Sequence, residues 1–203
     1  MSQIALPLGE GPGRDPARIV VGSSNAHVLE GLSSPENWPF RTAVMSGPPR
    51  SGKSLIARWF EKSGKGDVLD DADSLPETDL FHHWNRAQES GTPLLLVASH
   101  QIWDISLPDL RSRIGAALHL VIGSPEDEEI AGLLEAQAEQ RNLVLGESAL
   151  TYLSLRTARS YAEIEALVAM IDRLSLERKQ APTLSIWRDA LEAVRGTAQP
   201  RLL

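Results

Sequence analysis

The chain has 203 residues, of which 42% are hydrophobic and 23% charged, so it can bury the core of one compact domain, or of a larger domain with a small helical satellite. The absence of cysteine excludes disulfides, thiolate catalysis and cysteine zinc sites. A net charge of -7 argues against a large basic face for DNA, and because there is no long apolar run and no secretion signal we expect a cytoplasmic protein without direct sequence-specific DNA binding or membrane binding.

The first predicted segment is an N-terminal arm, residues 1–14, in which glycine and proline are too frequent for helix or strand. Ile4, Leu6 and Leu8 give this arm apolar side chains that need a partner. Two interpretations remain open. The arm is either a frayed terminus of no consequence, or a peptide that binds a groove on this protein or on another.

The next predicted element is a short apolar strand, residues 42–46, which leads into a glycine-rich loop and then a helix. The loop has the spacing G-x-x-x-x-G-K-S, in which backbone N–H groups and a helix N-terminus converge on one point and bind phosphate. Lys53 is expected to reach the β- and γ-phosphates, and the Ser54 hydroxyl to hold Mg²⁺. The predicted nucleotide-binding residues of this P-loop are Gly47, Pro48, Arg50, Ser51, Gly52, Lys53, Ser54 and Leu55.

A second short strand is predicted where Val68 and Leu69 are followed by Asp70 and Asp71, the form of a Walker B strand. Asp70 would bind the nucleotide through Mg²⁺ and water, and Asp71 would orient or deprotonate the attacking water. An acidic turn without such a role is the alternative. Lys53 and Asp70 are only 17 positions apart, which leaves no space for a complete strand and helix, so the parallel sheet should lack a unit that larger P-loop proteins have.

Residues 94–98 are uniformly apolar, as expected of a central parallel strand that is covered on both faces. Ser99 follows at its end, where a polar side chain could sense the γ-phosphate. Further along, Arg111 and Arg113 precede the last predicted strand, residues 118–122. This arginine pair is either solvated surface or the source of an arginine finger for a nucleotide that a neighbour holds.

The remainder of the chain is predicted to be helical. Ser124 and the proline and acids after it form a helix start, Ser160 and Glu163 form a capping box, and Gly196 is expected to end the last helix. We therefore predict an α/β nucleotide-binding domain over residues 15–123 and an all-α lid of about four helices over residues 124–203. Apolar residues with helical spacing are Ile130, Leu133, Leu134, Ala138, Leu150, Leu153, Leu155, Ile164, Leu167, Val168, Ile171, Leu174, Ile186, Leu191 and Val194.

The order of these elements resembles an AAA+ module, and the detailed match is to the DnaA family. Residues 19–25 are similar to the family's V-V-G-x-S-N segment, and residues 69–71 to its Walker B strand. Residues 81–85 resemble the helix that follows, and residues 110–113 resemble the arginine-finger box. The resemblance covers nearly the whole chain and implies an α/β P-loop domain with a reduced parallel sheet, followed by a small all-α lid.

Two features make the chain similar to the Hda-type branch of that family. The sequence ends at Leu203, so we expect no C-terminal helix-turn-helix of the kind with which DnaA binds its DNA boxes. The N-terminal arm is similar to the Q-L-x-L-P-L peptide with which Hda proteins bind the sliding clamp, in which an amide fixes register and aliphatic side chains fill an apolar groove. The residues that match it are Gln3, Ile4, Leu6, Pro7 and Leu8.

The resemblance implies a bacterial negative regulator of replication initiation that binds the clamp and stimulates hydrolysis of the ATP on DnaA. Arg113 would then be the finger that completes the DnaA active site in trans, and the chain's own P-loop would hold ADP, or ATP, with Mg²⁺. A homodimer is left open. The family's sensor arginine falls on Ala162 here, with Arg159 one helical turn earlier, so strong self-hydrolysis is not expected.

Two other functions compete with this one. The chain could be an autonomous P-loop ATPase or kinase that uses Asp71 as its base, although no acceptor site or arginine-rich cap is identifiable. It could also be a scaffold for the clamp or for DnaA with a relic P-loop. Steady-state phosphate release distinguishes the enzyme, and calorimetry with nucleotide distinguishes the scaffold.

Overall fold

The computed structural model describes residues 6–7, 18–101 and 103–198. Two short strands, β1 (Leu6–Pro7) and β2 (Arg18–Ile19), pair antiparallel, with Leu6 opposite Ile19. The prediction that residues 1–14 form neither helix nor strand is therefore wrong at Leu6 and Pro7, where the backbone pairs with β2. Of the predicted clamp-binding residues, Gln3, Ile4 and Leu8 lie outside the described residues. The chain divides into two compact units, one formed by Ser23–Gly123 and the other by Ser124–Leu203 together with Met1–Gly22.

The first unit is built on a parallel sheet of four strands in the order β4-β5-β3-β6. Helix α2 is joined to β4 by residues 63–66 alone, so no strand and helix intervene between the P-loop and the Walker B strand. This arrangement confirms the predicted α/β fold with a reduced parallel sheet. The strands are β3 (Thr42–Ser46), β4 (Asp67–Leu69), β5 (Leu94–Val97) and β6 (Leu118–Val121).

Helices cover the sheet of the first unit. Every residue of β3 and β5 is buried, as expected of central parallel strands that are packed on both faces. Because all four strands are parallel, the loops after β3, β4 and β5 lie at the same edge of the sheet, where α/β proteins bind ligands. The helices are α1 (Ala26–Ser33), α2 (Lys53–Lys62), α3 (Glu77–Ser90) and α4 (Pro108–Gly115), with 3₁₀ turns at Pro35–Asn37, Pro39–Arg41 and Ala72–Ser74.

Within the described part of Ser124–Leu203 the chain forms four helices and no strand, which confirms the prediction of a small all-α lid. They are α5 (Asp127–Glu139), α6 (Glu147–Ser154), α7 (Tyr161–Arg178) and α8 (Leu184–Ala198). Their apolar faces form one core that includes Ile130, Leu134, Leu153, Ile164, Leu167, Val168, Ile171, Ile186 and Leu191. Across residues 6–7, 18–101 and 103–198 there is no helix whose length and hydrophobicity would let it cross a membrane.

Three details of the lid differ from the sequence-based prediction. Helix α5 is capped by Glu126 rather than Ser124, because the Glu126 carboxylate accepts the backbone N–H of Glu129 and Glu129 Oε2 accepts the Glu126 N–H at 2.9 Å. Gly196 does not end α8, since it lacks the left-handed conformation that terminates a helix. Leu155 lies just beyond α6 and is 78% exposed, so it is not part of the core.

Two leucines of the lid provide a matched test of this core. Leu134→Ala should lower the free energy of unfolding by about 2–5 kcal/mol, because a fully buried side chain is replaced by a cavity. Leu155→Ala removes the same atoms from an exposed position and should change it by less than about 0.5 kcal/mol. Urea denaturation of both variants checks this, and equal losses would contradict the described core.

Candidate nucleotide-binding site

The P-loop connects the buried strand β3 to helix α2 in a conformation that demands glycine at two places. Gly52 has φ 85° immediately before α2, in the left-handed region that disfavours side chains. A Cβ on Gly47 would lie 2.7 Å from the Ile122 Cβ, so the loop packs too closely against the end of β6 for any other residue. The first turn of α2 leaves backbone N–H groups without intrahelical acceptors, and this is the usual binding geometry for phosphate.

Lys53 folds back over this loop. Its Nζ donates to the carbonyl oxygens of Gly47 and Pro48, both at 3.0 Å. Burial lowers the pKa of Lys53, while the negative charges of Asp70, Asp73 and Asp71 act in the opposite direction. The lysine of the P-loop and the acids that follow β4 therefore form one electrostatic site, as the two sequence motifs predict for a nucleotide with its metal.

Three oxygen-bearing side chains fit a phosphate and Mg²⁺ at this site. Ser54 is exposed in the first turn of α2, and Asp70 is exposed directly after β4. Hydroxyl and carboxylate oxygens are the ligands that Mg²⁺ prefers, and the ion would neutralise phosphate charge. Ser51 Oγ is buried in the loop and has no hydrogen-bond partner among the described residues, which a phosphate oxygen could supply.

Asp71 lies beside the end of the neighbouring strand. Its backbone is left-handed, with φ 50° and ψ 38°, and its Oδ1 accepts a hydrogen bond from Ser99 Oγ at 3.4 Å. Asp71 was predicted to orient water and Ser99 to sense the γ-phosphate, and the structure brings these two side chains together. Both are exposed, so they are accessible to a ligand at the strand ends.

Asp73 is a site residue that the sequence analysis missed. Its carboxylate, which is 6% exposed, accepts the backbone N–H groups of Ser99 and His100 at 3.0 Å and pairs with His100 Nδ1 at 2.9 Å. Burial raises the pKa of Asp73, but these hydrogen bonds outweigh it and hold the pKa below its ordinary value. Asp73 therefore fixes the turn after β4 to the turn after β5. The only signal in the sequence was a further acid three positions after Asp70.

The charge of Asp73 should make stability depend on pH. Because its folded-state pKa is depressed, its contribution is fully present above the unfolded pKa of about 3.9 and is lost as the pH falls through the folded value. Asp73→Asn should cost about 1–3 kcal/mol at pH 7 and progressively less below pH 4. Urea denaturation from pH 7 to pH 3 measures this, with Asp67→Asn, an exposed acid at the start of β4, as control. A pH-independent difference would contradict the assignment.

The predicted arginine finger, Arg113, lies in the last turn of α4 and contacts helix α3. Its guanidinium carbon is 4.2 Å from the centroid of the Trp84 ring and 4.9 Å from that of Phe81. Nη1 donates to Asn85 Oδ1 at 3.0 Å, and Nη2 to Asp109 Oδ2 at 2.9 Å. The two segments that resemble the family's helix and arginine box thus form one cluster, in which Arg113 remains 30% exposed.

The arginine nearest to the expected sensor position is engaged within the lid. Arg159 donates to both carboxylate oxygens of Asp127, at 2.8 and 2.6 Å, and to Glu126 Oε2 at 3.2 Å. Ala162 is exposed in the first turn of α7 and offers no charge. Among the described residues at the start of α7, no basic side chain is therefore left without an acidic partner.

Comparison with known proteins identifies the fold of the chain. No family model matches the sequence. An uncharacterized protein of Haemophilus influenzae is 27% identical over 173 residues, which cover 80% of this chain and 74% of that protein. Domain III of the replication initiation protein DnaA from Thermotoga maritima superposes with a TM-score of 0.70 at 15% identity, covering 87% of this chain and 94% of that chain. The chain has a DnaA-like AAA+ fold.

Two further structures with this fold contain nucleotides. AMPPCP-bound DnaA from Aquifex aeolicus has a TM-score of 0.59 at 18% identity, covering 83% of this chain and 68% of that chain. The AAA domain of FIGL-1 in complex with ADP has a TM-score of 0.60 at 15% identity, covering 90% of this chain and 84% of that chain. At sequence identities this low, structural similarity establishes the fold of the chain and nothing more.

Proposed function

We propose that this DnaA-like protein is an Hda-type regulator of replication initiation. It binds ADP or ATP with Mg²⁺ in its own P-loop, binds the sliding clamp through its N-terminal arm, and stimulates hydrolysis of the ATP that DnaA holds. The observation that carries the proposal is the cluster around Arg113, in which the guanidinium from the last turn of α4 stacks on two aromatic rings of α3 and stays 30% exposed.

The chain's own nucleotide would occupy the loop between β3 and α2. Lys53 would exchange the two carbonyl oxygens that it now contacts for phosphate oxygens, and Ser54 and Asp70 would hold Mg²⁺. The ion supplies positive charge against the phosphates. The nucleotides in the DnaA and FIGL-1 structures of the same fold support this role for the loop.

Arg113 would act on the partner's nucleotide rather than on the chain's own. Its guanidinium would neutralise the negative charge that develops on the transferred phosphoryl group, a charge that exists only in the transition state. Residue 162 is alanine and Arg159 pairs with Asp127 and Glu126, so neither of these positions at the start of α7 offers an unpaired cation among the described residues. We therefore expect weak self-hydrolysis and strong stimulation of DnaA.

The contact between Asp71 and Ser99 favours one alternative, an autonomous ATPase or kinase with Asp71 as the base. Steady-state phosphate release separates the two functions. The proposed regulator, saturated with ATP and Mg²⁺ but without DnaA, should release phosphate slowly and at the same rate before and after Asp71→Asn. Sustained turnover that Asp71→Asn abolishes would favour the autonomous enzyme.

Deleting residues 1–8 should abolish binding to the sliding clamp. The loss should exceed about 2 kcal/mol in binding free energy, or about 30-fold in Kd, because the apolar anchors of a peptide carry most of its affinity. Leu6 and Pro7 also pair with β2, so the deletion removes a short ladder as well. Surface plasmon resonance with immobilised clamp measures the affinity.

A thermal melt and nucleotide calorimetry of the same truncated chain distinguish loss of the clamp-binding peptide from unfolding of the rest of the protein. The proposal predicts lost clamp binding with retained nucleotide affinity and a cooperative melt. A truncated chain that still co-elutes with the clamp would refute the tether.

A further inference from the structure

The donor groups of Arg113 have two kinds of partner. The first kind consists of residues on helix α3, since the guanidinium stacks on Trp84 and Phe81 and Nη1 donates to Asn85. The other donor edge, at Nη2, is occupied by the carboxylate of Asp109 at 2.9 Å. A guanidinium binds carboxylate and phosphate oxygens with the same donors, so Asp109 holds an edge that a phosphate would need.

Asp109 is the partner that can be exchanged. Its side chain is 66% exposed, and it lies one turn before Arg113 on the same helix. An exposed ion pair of this kind is weak, because water screens both charges and two long side chains must be ordered. Trp84 is buried and Asn85 is half-buried, so their contacts with Arg113 are better shielded. A phosphate that approaches Nη2 would also be repelled by the Asp109 charge as long as this pair persists.

Helix α4 does not depend on the Arg113 contacts for its position. Glu77 at the start of α3 accepts the backbone N–H groups of Ser106 and Leu107, at 2.7 and 2.8 Å, just before α4 begins. These backbone hydrogen bonds hold the pKa of Glu77 below its ordinary value. Leu110 and Ile114 on the inner face of α4 are buried. Arg113 can therefore change its polar partner without movement of the helix.

We propose that Asp109 is an autoinhibitory latch, a carboxylate that occupies Nη2 of Arg113 until a terminal phosphate held by a partner displaces it. This inference rests on the proposed function, since it assigns a regulation to the same arginine. While the latch is closed, the guanidinium is kept stacked and oriented but its phosphate-binding edge is blocked. When the phosphate displaces Asp109, the contacts with Trp84 and Asn85 keep the guanidinium in place.

The test is a single-turnover measurement of hydrolysis of ATP preloaded on DnaA, with the full-length protein added at increasing concentration. Asp109→Asn keeps the size of the side chain and removes its charge, so the stimulated rate at sub-saturating protein should rise about two- to fivefold, the strength of an exposed ion pair. Asp104→Asn removes the same charge from an exposed carboxylate five positions earlier and controls for general electrostatic steering.

The controls separate the latch from the proposed function. If Arg113→Ala abolishes stimulation and Asp109→Asn raises it while Asp104→Asn does not, the latch stands. A rate that is unchanged or lowered by Asp109→Asn, or raised equally by Asp104→Asn, overturns the latch alone. Undiminished stimulation by Arg113→Ala overturns the proposed function itself. The double variant should be as inactive as Arg113→Ala.

Discussion

Arg113→Ala should abolish the stimulation of DnaA-bound ATP hydrolysis. An arginine supplied in trans accelerates phosphoryl transfer by about 10³–10⁵-fold, because it stabilises charge that is absent in the ground state. Nearly all of the stimulated rate should therefore disappear. Single-turnover hydrolysis of labelled ATP on DnaA, at saturating concentrations of the variant, measures the effect.

The matched control for this variant is Arg111→Ala on the same helix. Arg111 is exposed, and its Nη2 contacts only the Ser106 carbonyl among the hydrogen bonds described, at 3.3 Å. Its removal should leave most of the stimulation. Circular dichroism and clamp binding should be unchanged for both variants, since the Arg113 contacts lie at a partly exposed surface. Equal activity of Arg113→Ala and the native chain would remove Arg113 from the mechanism.

Lys53→Ala should remove most of the affinity for ADP and ATP. The Lys53 ammonium lies over the P-loop beside three carboxylates, and a charge-assisted hydrogen bond to phosphate contributes about 1.5–3 kcal/mol, or about 10–100-fold in Kd, for each bond. Isothermal titration calorimetry in the presence of Mg²⁺ measures the loss directly.

Lys62 provides the control on the same helix. It is exposed in the last turn of α2, nine positions from the P-loop lysine, and Lys62→Ala removes an equal charge. Nucleotide affinity should then stay within about twofold of the native value, because long-range charge effects are screened by salt. If neither variant alters affinity, the loop does not bind nucleotide and the scaffold interpretation gains support.

Local rules account for much of the fold. The separation of Lys53 and Asp70 by 17 positions predicted the missing sheet unit, because helix and strand lengths leave no room for more. The 3.6-residue period predicted the four lid helices. The cap of α5 was misplaced because Ser124 and the following proline are a strong start signal, whereas Glu126 is a less common cap whose partner, Glu129, becomes evident only in three dimensions.

The site residues that the sequence did not reveal depend on which strands and helices are neighbours. Asp73 acquires its role only because β4 and β5 are adjacent and parallel, which brings its carboxylate to the N–H groups of Ser99 and His100. The contacts of Arg113 likewise require α3 and α4 to pack with particular faces together. Spacing along the chain cannot specify either arrangement.

The decisive experiment is single-turnover hydrolysis of ATP on DnaA, measured with the native chain in the presence of sliding clamp loaded on DNA. The native chain should accelerate hydrolysis by about 10³-fold or more, as expected of an arginine finger, and the acceleration should require both the clamp and residues 1–8. A hydrolysis rate equal to that of DnaA alone, at saturating concentrations of the native chain and clamp, would contradict the proposed function.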